Sequence, residues 1–135
     1  MAQKVTAQIG TEHFKTVLTN ERHEIIADEP TDHAGADLGF SPGELLCSAL
    51  AACTCITLRM YADRKGWPLV EVRAEVQLDR DKENNTSLFQ RQIWLIGNLD
   101  QTQRERLLAI ANLCPIHKTL TGPIEISTTF AQLET

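Results

Sequence analysis

Apolar and polar residues alternate in Val5-Thr6-Ala7-Gln8-Ile9 and in Phe14-Lys15-Thr16-Val17-Leu18, with Gly10-Thr11 between the runs and Asn20-Glu21 after them. Period-two alternation broken by turn residues predicts a β-hairpin, and Glu24 to Ala27 predicts a third short strand. From Asp28 to Phe40 the periodicity stops, and a loop of this length in a compact domain is a candidate for function. Ser41-Pro42-Gly43-Glu44 then reads as a helix start, with Ser41 as N-cap, Pro42 at the first helical position and Glu44 at the capping-box spacing. The helix runs to Lys65 without internal Gly or Pro and stops at Gly66-Trp67-Pro68. Its first half, Leu45 to Cys53, is apolar or small nearly all round, which predicts a central helix packed on more than one side.

Two longer strands, Val70 to Asp79 and Leu88 to Ile96, follow as a second hairpin around the polar segment Arg80 to Thr86. Asp100 caps a further helix with Gln103 at the box position, and apolar residues recur at 107, 108, 110, 111 and 113. A short helix from Pro115 to Leu120, a Gly122-Pro123 break and a last strand from Ile124 to Phe130 complete the pattern. Strands that cluster, with separate long helices between them, make the class α+β.

The chain of 135 residues has the length of one domain, 1–135, and its 42% hydrophobic against 23% charged residues suits a globular protein. A single short chain offers little to cover both sides of an apolar helix. Either the second helix does so or a second subunit does. The net charge of -5 comes without a basic block, so neither nucleic acid nor a membrane is an expected partner. The N-terminal residues lack the apolar stretch of a secretory signal, and no segment is expected to reach the roughly 20 apolar residues of a membrane span. The cytoplasm is the expected compartment.

The candidate chemistry lies in four cysteines, at 47, 53, 55 and 114. At about 100° per residue, Cys53 and Cys55 lie about 200° apart on the first helix and cannot act as a pair. Cys47 shares a face with Ala51 and Cys55, the pattern of small-residue packing. Cys114 directly precedes Pro115, so it becomes the N-cap of the short helix, where backbone N–H groups and the helix dipole favour a thiolate; His117 lies one turn on. A reactive thiol and a packing cysteine both fit that spacing. Zinc sites usually present two close ligand pairs, whereas here Cys114 and His117 form one, and no metal is expected. His13, His23 and His33 are isolated.

Asp28-Glu29-Pro30, the block from Gly35 through Leu46, Ala49 to Thr54, Thr57 to Leu69, Gly97 to Asp100, Arg104 to Leu108 and Cys114 to Leu120 together resemble the OsmC/Ohr family, and the first block is most similar to its general OsmC-like branch. The resemblance implies antiparallel sheets around a long central helix in an intertwined homodimer. It also implies thiol-dependent reduction of organic hydroperoxides without a cofactor. Cys53 matches the peroxidatic thiol, which becomes a sulfenic acid, and Cys114 matches the resolving thiol, which closes a disulfide for an external dithiol to reduce.

Two departures bear on activity. Where the peroxidase branches carry a glutamate that orients an activating arginine, this chain has Gly43, and Glu44 follows one residue later. The arginine itself comes from the N-terminal region, where Arg22 is the candidate; His117 is a further local base or cation. The expected site is therefore Cys53, Cys114, Glu44, Arg22 and His117. A peroxidase predicts a depressed Cys53 pKa. The alternative is a non-peroxidase OsmC-like protein that binds a small apolar or thiol ligand at the dimer interface.

Overall fold

The computed structural model describes residues 2–131, and its α+β architecture divides into two compact units. The first holds the described residues up to Ala51 together with Glu75–Gln92. Its sheet has the order β1 (Thr6–Ile9), β2 (Thr16–Thr19) and β3 (Glu24–Ala27), antiparallel throughout, with Ala7 opposite Leu18 and Leu18 opposite Ile25. The alternation read from the sequence thus sets the register, because a slip of one residue would turn this apolar row to the other face.

The loop from Asp28 to Phe40 is ordered by its first residue. Asp28 is buried, and its carboxylate accepts backbone N–H bonds from Phe14 at 3.1 Å, Glu29 at 2.7 Å, Leu38 at 3.2 Å and Ala36 at 3.4 Å. Burial raises the pKa of this acid, but the four donors more than offset it and hold the carboxyl below its usual range. Gly39 lets the returning chain approach β3, since a Cβ there would lie 1.9 Å from the Ile26 carbonyl oxygen.

The second unit holds Ala52–Ala74 and the described residues from Ile93 onward. Its core joins Leu58 and Ala62 of α1 (Pro42–Lys65) to Leu69, Leu99, Leu107, Ile110 and Ala111. Full burial of Leu58 and Leu107 contributes about 1.5–3 kcal/mol each. The helix α2 (Gln101–Ala111) starts at the expected Asp100: Gln103 N–H donates to Oδ1 at 2.7 Å, and the Gln103 side chain accepts from Asp100 N–H at 2.9 Å. Arg104 donates to the carbonyls of Leu95, Leu99 and Gly97, fastening the segment from Leu95 to Leu99 to this helix. The strands β4 (Leu69–Asp81) and β5 (Thr86–Gly97) form the second hairpin, and α3 (Pro115–Thr121) follows α2.

Three expectations require correction. The helix α1 is not packed on several sides within this chain: Leu50, Thr54, Leu58 and Ala62, spaced four apart, are buried, while Leu46, Ile56 and Met60 stay 42–60% exposed. By length and composition α1 is also apolar enough to cross a membrane, contrary to the sequence reading. A core helix and a bilayer helix share that composition, and composition alone does not separate them. Finally, Ile124 to Phe130 forms no strand and joins no ladder among the described residues, with Ile126 and Phe130 exposed by 88% and 101%. Its alternation suits a strand, and a strand needs an edge to pair with.

Candidate thiol site

Both thiols expected to react lie in the second unit, together with His117. Cys53 sits on α1. After α2 ends, Cys114 takes extended geometry, and Pro115, whose fixed φ suits the first helical position, starts α3. Cys114 is fully buried, and its Sγ accepts the His117 N–H at 3.3 Å as N-cap. The bond comes from the His117 backbone. All four cysteines are free thiols.

The half-buried sulfur of Cys53 meets three groups, namely the backbone N–H of Ile116 in the first turn of α3, the Cys114 thiol, and the Thr57 hydroxyl one turn further along α1. α1 and the start of α3 thus bring the two thiols into mutual contact. Burial is the strongest influence on Cys53 and pushes its pKa up; the Ile116 N–H opposes this, the Cys114 sulfur reinforces it and the Thr57 hydroxyl opposes it. No cation is among these influences. The depressed pKa expected of a peroxidatic thiol is therefore replaced by a raised one, because half-burial disfavours the thiolate and the sulfur facing it can itself carry negative charge.

The other expected site residues lie in the first unit. Arg22 is exposed in the turn from β2 to β3, where its N–H, like that of His23, donates to Asn20 Oδ1. Glu44 completes the capping box: its carboxylate accepts the Ser41 N–H at 3.0 Å, while its own N–H donates to Ser41 Oγ at 3.3 Å. Ser41 holds the Glu44 carboxyl below its usual range. The position of Gly43 opens to free space. Cys55 turns away from α3: its Sγ donates to the Val72 carbonyl at 3.8 Å, and burial raises its pKa, as for a packing thiol.

Sequence reasoning missed Thr57 and the Ile116 N–H. The signal for Thr57 was present, since residues four apart share a helix face. The Ile116 N–H depends on how two distant segments pack, which no local pattern carries.

The profile of the family described as OsmC-like protein matches residues 34–129. The chain belongs to the OsmC-like protein family. Solved structures carry the same fold. An OsmC-like protein from Mycoplasma pneumoniae is 20% identical, with 90% of this chain and 89% of that one covered and a TM-score of 0.77. The organic hydroperoxide resistance protein OhrB of Bacillus subtilis is 22% identical, covering 90% and 92%, with a TM-score of 0.64. The organic hydroperoxide resistance protein OsmC from Legionella pneumophila is also 22% identical, covering 90% and 92%, with a TM-score of 0.61. Among curated proteins, none matches the sequence of this OsmC-like protein.

Proposed function

We propose that this OsmC-like protein is a thiol peroxidase that reduces organic hydroperoxides in the cytoplasm through a Cys53/Cys114 disulfide cycle. The observation that carries the proposal is the contact between these two free thiols, contributed by segments far apart in the sequence. The names of the hydroperoxide resistance proteins that share its fold point to the same chemistry.

In the cycle, the Cys53 thiolate attacks the terminal oxygen of ROOH. The O–O bond breaks, ROH leaves with a proton and Cys53 becomes a sulfenic acid. Cys114 attacks that sulfur, the S–O bond breaks and water leaves, so two thiols are oxidised as one peroxide is reduced. An external dithiol then reduces the bridge by exchange and becomes a disulfide itself. The raised pKa of Cys53 in the single chain leaves a cation to be supplied, and in an intertwined homodimer Arg22 of one copy or an arginine of the other supplies it. His117 is a further source.

A homodimer also provides for the apolar surface that the single chain leaves open. The exposed stripe of α1 and the unpaired segment from Ile124 to Phe130 find their cover and their sheet edge in the second copy.

The raised Cys53 pKa favours one competing reading, a non-peroxidase that holds a small apolar or thiol ligand at the dimer interface. Turnover of cumene hydroperoxide, a fatty-acid hydroperoxide and hydrogen peroxide with a dithiol reductant separates the two. The peroxidase should turn over the organic peroxides faster than hydrogen peroxide and lose activity in Cys53→Ser. Parent protein that consumes no peroxide would leave the ligand-binding reading in its place.

A further inference from the structure

The two sulfurs of a disulfide are not equivalent to an attacking thiolate, because the rate depends on which sulfur can be reached and on how well the other departs. Cys53 and Cys114 differ on both counts. Cys114 has no exposed surface even in the single chain, and its Sγ accepts the His117 backbone N–H at 3.3 Å as the N-cap of α3. A second copy can add cover to it and remove none. Cys53 is half-buried on α1, and any peroxide that is to be reduced must reach its sulfur.

We propose that the bridge is reduced in one direction, with the reductant attacking the Cys53 sulfur and Cys114 departing as the leaving thiolate. The inference rests on the disulfide cycle proposed above and deepens it. In the first exchange, the external thiolate forms a bond to Cys53 Sγ as the bond between Cys53 and Cys114 breaks. The electron pair of that bond goes to Cys114 Sγ, which takes up the proton that the external thiol gave off. The second thiol of the reductant then attacks the external sulfur, closes the reductant's own disulfide and releases Cys53. Two electrons pass from the dithiol to the bridge. Charge develops on Cys114 where the His117 N–H already stands, so the departing sulfur meets a donor without rearrangement. Attack on Cys114 would reverse both advantages, bringing the reductant into a closed site and expelling Cys53, whose thiolate burial disfavours. The opening that admits the peroxide therefore also serves the reductant.

The test closes the bridge with diamide, which takes two hydrogens from a dithiol without peroxide, so that the direction is read whether or not the protein consumes peroxide. Excess β-mercaptoethanol, a monothiol, then opens the bridge, and an acid quench at early times protonates the thiolates and stops exchange. N-ethylmaleimide in denaturant marks the freed thiol for peptide mapping. The earliest product should carry β-mercaptoethanol on Cys53 and N-ethylmaleimide on Cys114. Single substitutions supply an independent reading: with dipyridyl disulfide, Cys53 of folded Cys114→Ser should react, whereas Cys114 of Cys53→Ser should react only on unfolding. Adducts of β-mercaptoethanol on Cys114, or equally on both sulfurs, would overturn the proposal and leave the disulfide cycle standing. The expected direction in a protein that consumes no peroxide would keep the proposal and remove the peroxidase. A chain in which diamide closes no bridge between Cys53 and Cys114 would remove both.

Discussion

Gly43 and Glu44 show how a shift of one residue separates scaffold from chemistry. Glu44 is engaged by Ser41, so Glu44→Gln should lower the melting temperature while leaving turnover nearly unchanged, and Ser41→Ala should cost about 1 kcal/mol in denaturant unfolding. The depressed pKa of Glu44 makes the cap strongest above the ordinary glutamate value of 4.5, and that contribution is lost as pH falls through the lower folded value. Asp28 obeys the same sign, with its support of the loop present above 3.8 and lost as pH falls through its folded value. Gly43 faces open space, so Gly43→Glu should fold and, by removing a helical glycine, add about 0.5–1 kcal/mol. A glutamate at that position should also raise peroxide turnover if it restores the arginine-orienting arrangement. Turnover no greater than the parent's would show that the missing glutamate is not what sets the rate.

At the scale of elements, what the sequence made legible was whatever one segment decides for itself. Both capping boxes lie where Ser41 to Glu44 and Asp100 to Gln103 predict them, α1 has the expected limits, and Cys114 is the N-cap that Pro115 requires. The exposed stripe of α1 and the segment from Ile124 to Phe130 were misread for one reason: an apolar pattern announces burial without naming what buries it. The site divides in the same way. The N-cap geometry of Cys114 is local and readable, whereas the raised pKa of Cys53 comes from packing against α3. The exposed stripe yields a discriminating substitution at Ala52, which is exposed in the single chain. In a monomer Ala52→Asp would be tolerated. In a dimer that buries α1 an unpaired carboxylate costs several kcal/mol from the roughly 5–15 that hold a domain folded, and soluble expression should fail.

For the whole molecule, the proposed cover of apolar surface by a second copy would make folding and association one event. Light scattering should give about twice the 15.1 kDa chain mass, and unfolding midpoints should rise with protein concentration. A folded single chain that persists on dilution would contradict the dimer. The central claim is that Cys53 and Cys114 form one redox pair, and treatment with one equivalent of an organic hydroperoxide followed by intact-mass measurement and peptide mapping tests it most directly. The account predicts a loss of two hydrogens per chain, a bridge between Cys53 and Cys114, and a persistent sulfenic acid at Cys53 in Cys114→Ser. A bridge that includes Cys47 or Cys55, or thiols that oxidise no faster than in the unfolded chain, would contradict it.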